Sequence, residues 1–152
     1  MNKQFGYIRK EVEELIGMSA RKIQFYTDLG LVIPDVDNPS GRGTTRRYSR
    51  RNMFQLLLVQ ELVRNGVSLE NIKTLFISYW VRLQGRESNF WDYEQDAPRM
   101  DVIVIYNPAD GKSLTALAMK IKEDKRQFTL KLEFNSALII NLNPLVARLP
   151  RA

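Results

Sequence analysis

The chain has 152 residues, 26% charged and 44% hydrophobic, with a net charge of +6 and neither cysteine nor histidine. That length buries a core as one domain or two small ones, and the composition is that of a folded protein, neither disordered nor membrane-embedded. Without Cys or His there are no disulfides, thiolate zinc sites, iron–sulfur ligation or usual nucleophile–base pairs, so neither a metal, a cofactor nor an enzyme is expected. The longest apolar runs, at 56–59 and 102–106, are too short to span a bilayer. The first fifteen residues lack the apolar stretch of a signal peptide, so a soluble cytoplasmic protein is the simple expectation. The charge is uneven: residues 1–83 hold 13 basic and 8 acidic side chains, and residues 84–152 hold 10 and 9. A basic first half suits a polyanion partner.

Three segments of that first half open alike, as MSARKI, YSRRNM and VSLENI. In each, a serine precedes a helical pattern and its hydroxyl can accept from the first turn. The residue before each serine (Met18, Tyr48, Val67) and the one five positions on (Ile23, Met53, Ile72) are apolar, which is a hydrophobic staple. The helices follow in chain order. The first covers about 10–16, with Val12, Leu15 and Ile16 inward and Glu11, Glu13 and Glu14 near its positive end. Gly17 and Met18 make a tight turn into a second helix that runs from Ser19 to near Gly30, completing a helix-turn-helix pattern. A third follows Ser49, with Met53, Leu56, Val59, Leu62 and Val63 on one buried face, and a fourth follows Ser68.

Between the second and third helices lies GLVIPDVDNPSGRGTTRRY, a loop or wing with β-capable flanks at 31–33 and 44–48. Residues 41–51 include Arg42, Arg46, Arg47, Arg50 and Arg51, and no carboxylate occurs between Asp37 and Glu61. Arg50 and Arg51 begin the third helix, where a cation meets the positive end of the dipole and costs some tenths of a kcal/mol. A basic wing running into a basic helix start suits phosphate.

The ordered set V-E-E-L-I-G-M-S, I-Q-F-Y-T-D-L-G-L-V-I-P, R-R-Y-S and N-G-V-S-L-E-N-I-K over residues 7–76 resembles the MerR family of bacterial transcription regulators. The resemblance implies a winged helix-turn-helix whose second helix enters the major groove of double-stranded DNA. Ser19, Arg21, Lys22, Gln24, Phe25 and Tyr26 would then face DNA, with core packing as the alternative role of Phe25 and Tyr26. Tyr26 falls on a phosphate-contacting tyrosine of the family, and Arg46 and Tyr48 fall on its Arg-x-Tyr, with Arg47 between them and Arg42 at the wing tip. Gln24 replaces a common arginine, which alters either base preference or one phosphate contact; glutamine can pair bidentately with adenine. The wing is longer than usual, and Arg50 and Arg51 replace residues that are often acidic.

The second half departs from the family. Leu69, Ile72, Phe76, Tyr79 and Leu83 keep heptad-like spacing for about two heptads, which serves a dimer or simple packing onto the first helices. A linker at 84–100 follows, and with the residues just upstream it gathers Tyr79, Trp80, Phe90, Trp91 and Tyr93, to line a ligand pocket or to seal a junction. From 101 to 152 the pattern is that of a small antiparallel sheet, with strands near 102–106, 113–121, 128–134 and 136–142 and a last short helix at NPLVARL. The strands at 102–106 and 138–142 are apolar on both faces, which calls for a partner subunit as cover. The expected architecture is therefore α+β: a DNA-binding domain at 1–83, the linker, and a β domain for dimerisation or effector binding.

The function expected is a dimeric transcription regulator on an inverted repeat. It would activate by twisting a promoter for RNA polymerase, as activating relatives do, or repress by occupancy. An architectural or excision factor of a mobile element is the alternative.

Overall fold

The computed structural model describes residues 6–39, 41, 43–76, 91–92, 94–106, 115–119 and 137–151. Arg42, Tyr79, Trp80, Phe90, Tyr93 and the alternating segment at 128–134 lie outside them. The element order begins β1 (Tyr7–Ile8), α1 (Arg9–Ile16), α2 (Ala20–Asp28), β2 (Arg47–Tyr48), α3 (Arg50–Arg64) and α4 (Leu69–Phe76). It continues with β3 (Trp91–Asp92), β4 (Ala97–Pro98), β5 (Val102–Tyr106), β6 (Thr115–Met119), β7 (Ala137–Asn141) and α5 (Asn143–Val146). The architecture is α+β, with a helix-turn-helix at its N-terminal end.

All three serines cap helices. Ser19 Oγ accepts from Lys22 N at 3.4 Å, Ser49 Oγ from Asn52 N at 3.1 Å and Ser68 Oγ from Asn71 N at 3.2 Å. The acidic start of α1 does more than meet the dipole. Glu11 Oε2 accepts from Ile8 N at 2.9 Å, and Glu13 Oε1 reaches across the turn to Ala20 N at 3.1 Å, so α1 caps α2. Gly17 ends α1 at φ 66°, a left-handed conformation that only glycine adopts cheaply. Two side chains expected inside are outside: Leu15 and Val63 are 41% and 38% exposed. On α1 the buried stripe is carried by Val12 and Ile16, and on α3 Val63 lies in the exposed last turn.

α3 was expected to bury one face; instead Asn52 through Val59 are all buried. The other sides are covered from the second half of the chain. Trp91 packs on Phe54 with ring centroids 5.6 Å apart, and α5 lies against α3. One hydrophobic cluster runs from Val12 through α3 to Ile103, Ile105, Ile140, Leu142, Leu145 and Leu149.

The three-stranded sheet is antiparallel in the order β6-β5-β7, pairing Val104 with Leu117 on one side and Ile139 on the other. Val102, Ile103, Val104 and Ile105 are all buried within one chain, so β5 needs no partner subunit to cover its second face. Ile139, which shares the Val104 face, is half exposed.

The loop from α2 to α3 closes further along than its β-capable flanks at 31–33 and 44–48 suggest. Residues 31–33 form no strand, because Leu31 and Val32 drop into the core. The returning arm bonds instead to Asp37, by Arg47 N to Asp37 O at 2.7 Å and Asp37 N to Arg47 O at 3.2 Å, and β2 pairs with β1. The start of the connection is held by a buried side chain, Asn52. Its Oδ1 accepts from Asp35 N (3.0 Å) and Ser49 N (3.1 Å), and its Nδ2 donates to Ile33 O and Gln55 Oε1 (both 2.9 Å). Four bonds exhaust what an amide side chain can make.

Candidate nucleic-acid interface

α2 is amphipathic, with Ile23, Tyr26 and Thr27 inward and Ser19, Arg21, Lys22, Gln24 and Phe25 outward. Phe25 is 47% exposed, a large aromatic left on a charged surface. Gln24 is not loose: its Oε1 accepts from Arg9 Nη1 at 2.7 Å. Tyr26 has a buried ring tilted against Phe25 at 5.8 Å. Burial pushes its hydroxyl above the ordinary tyrosine pKa, so at neutral pH it stays a hydrogen-bond donor.

Tyr48, read from sequence as facing DNA, is 1% exposed. Its hydroxyl lies 3.1 Å from Thr27 Oγ1, and because Thr27 already donates to Ile23 O at 2.8 Å, Tyr48 is the donor. The ring is thus an internal strut from β2 to α2, and any effect on a ligand passes through the position of its neighbours. Arg47 is half-buried in β2. Arg46 reaches back to α2, where Nη1 donates to Asp28 Oδ1 at 2.7 Å. The two side chains are 35% and 49% exposed, and an ion pair so open to water is worth about 0–1 kcal/mol, little enough to exchange.

The start of α3 departs most from the sequence reading. Arg50 turns toward the second half of the chain, with Nε donating to Pro150 O at 2.7 Å and Nη1 to Asp96 O. Arg51 has its Nε buried. Arg50 therefore does not join Arg46 on one surface. Of the linker aromatics Trp91 is the one among the described residues: it seals against Phe54, and its Nε1 donates to Asp96 Oδ1 at 3.3 Å.

Between α1, α2 and the connection lies an open concavity of about 590 Å³, lined by Arg9, Lys10, Gln24, Asp28, Thr45 and Arg46 among others. Three cations and one carboxylate leave it positive. Sequence reading missed Arg9 and Lys10. The available signal was two cations at a helix start, the place where a carboxylate is stabler.

The family model described as MerR HTH family regulatory protein matches residues 7–78. Over those residues the chain is similar to a MerR-family helix-turn-helix domain. The MerR family consists of DNA-binding transcription regulators, and the exposed face of α2 and the basic concavity both belong to this domain. HTH-type transcriptional regulators of Mycobacterium tuberculosis and Mycobacterium bovis are 29% identical over 68 residues, 45% of this chain and 30% of theirs. The HTH-type transcriptional regulator CueR of Vibrio cholerae is 31% identical over 65 residues, 43% of this chain and 45% of that protein. The chain therefore spans less than half the length of these curated relatives. The family match ends at 78, ahead of β3 and everything that follows.

Proposed function

We propose that this chain is a sequence-specific transcription regulator that binds an inverted repeat as a homodimer. In this reading α2 enters the major groove and the α2–α3 connection lies as a wing along the backbone. Arg21 and Lys22, near the N-terminus of α2, reach base edges, with Ser19 beside them. Phe25 meets a thymine methyl, the one apolar group on the groove floor. Arg46, Arg47 and Arg42 take backbone phosphates. The observation that carries the reading is the outer face of α2, where charged and aromatic side chains stand exposed beside the positive concavity.

The dimer follows from size. A nine-residue helix is about 14 Å long, which covers roughly four base pairs at 3.4 Å each. So short a site gives little selectivity in a genome. Two copies related by a two-fold axis double the site and make it an inverted repeat. Selection of bound duplexes from a randomised pool, repeated at two salt concentrations, tests this. Enrichment of an inverted repeat at the higher salt is the expected result. Enrichment of a single half-site sinks the dimer, and the absence of any motif sinks sequence-specific binding.

A further inference from the structure

α1 opens on Arg9 and Lys10, both exposed, at the end of the helix where the backbone dipole disfavours cations. At that position the charge costs the helix some tenths of a kcal/mol, which points to a use beyond the helix itself. Arg9 is held across the gap to α2 by Gln24 Oε1 at 2.7 Å. Four residues on, along the same strip of α2, Asp28 holds Arg46 from the connection at 2.7 Å. Two α2 side chains one turn apart thus each present one arginine, and all four line the same concavity together with Lys10.

The Gln24 amide is oriented by this contact. Bidentate pairing with adenine needs its oxygen and nitrogen together in the base plane, whereas here one lone pair of the oxygen is engaged by Arg9 and that bond fixes where the amide plane lies. The guanidinium has five N–H groups, one of which goes to Gln24, and the rest of the planar fork fits a phosphate. Resting on the DNA-binding reading above, we infer that Arg9 is a DNA-contacting residue, gripping a backbone phosphate beside α2. Gln24 is its positioning residue and does not read adenine. Arg9 and Arg46 then take phosphates along one strand from opposite walls of the concavity.

The test uses the full chain and two labelled duplexes, one carrying the selected sequence and one a scramble of it, titrated across a range of salt. Arg9→Ala is expected to weaken binding to both duplexes by about the same factor, roughly eight-fold near 0.1 M salt, and to lower the salt slope by about one. Arg9→Lys keeps the charge and restores most of the slope. Gln24→Ala also weakens both duplexes, and it adds little on top of Arg9→Ala, a coupling that a pair acting independently does not show. Wild-type affinity and slope in Arg9→Ala overturn the inference. So does a Gln24→Ala change confined to one base pair with the slope intact. A wild-type chain that binds neither duplex overturns the proposed function and takes this inference with it. Wild-type binding that ignores Arg9 overturns the inference alone.

Discussion

Two regions of this molecule are rich in arginine, and they use it in opposite ways. Around the concavity, Arg9 and Arg46 are held by exposed side-chain acceptors, Gln24 and Asp28. At the junction between α3 and the C-terminal segment, Arg50 donates to the backbone carbonyls of Asp96 and Pro150, and Arg148 Nη2 donates to Ile16 O at 2.7 Å. In the first set Arg46 can trade Asp28 for phosphate at a cost of less than about 1 kcal/mol, and Arg9 keeps N–H groups beyond the one given to Gln24. The second set satisfies main-chain carbonyls, including the last carbonyl of α1, an orphan of the helix end. A cluster of arginines in sequence is therefore not one site. The acceptor decides the role: Arg46 and Arg50, four residues apart, belong to different machines.

The comparison breaks most severely at Asn52, which ties the α2–α3 connection to α3 from inside. Asn52→Ala leaves Ile33 O, Asp35 N and Ser49 N without this partner in a part-buried setting. A loss of about 3–4 kcal/mol is expected, read as a shift of the urea midpoint at constant slope. A loss below about 1 kcal/mol would mean water replaces the amide and the wing is held elsewhere.

Next in size is Arg50→Ala. Two charge-assisted hydrogen bonds to carbonyls disappear, and relief of the cation from the positive end of α3 offsets part of the loss. The net expectation is about 1–2 kcal/mol of destabilisation with no change in the salt dependence of DNA binding. A salt slope lowered by one unit, with stability intact, would return Arg50 to the interface and erase the distinction between the two regions.

Sequence alone reached the first region better than the second, for reasons visible at particular residues. Ser19, Ser49 and Ser68 are local signals, since a cap and its staple lie within six residues, and all three caps form. The outward face of α2 is what the family resemblance implies, and Phe25, which had core packing as its alternative role, sits on that face. Tyr48 and Arg50 could not be placed this way. Their partners, Thr27 and the carbonyls of Asp96 and Pro150, are 21, 46 and 100 residues distant, and no periodicity encodes such contacts. Burial all around α3 was hidden for the same reason, since its cover comes from Trp91 and α5. Asn52 reads as an ordinary polar residue at a helix start; only the fold turns it into a fully bonded hub.

The smallest effect on stability, and the sharpest on the comparison, belongs to the Arg46···Asp28 pair. Each partner is more than a third exposed or close to it, so breaking the pair should move stability by no more than about 0.5 kcal/mol. On DNA the two partners should act with opposite sign. Arg46→Ala removes one phosphate contact, lowering the salt slope by about one and weakening every duplex alike. Asp28→Asn removes the lone carboxylate among three cations lining the concavity, frees Arg46, and should tighten binding to selected and scrambled duplexes by similar factors. That outcome makes Asp28 a restraint on non-specific affinity, since every phosphate must displace it from Arg46. If Asp28→Asn instead weakens binding at one cytosine-containing position and leaves the scramble untouched, the carboxylate accepts from a base amino group. Arg46 would then be the residue that aims it, and the concavity would read sequence as well as grip backbone.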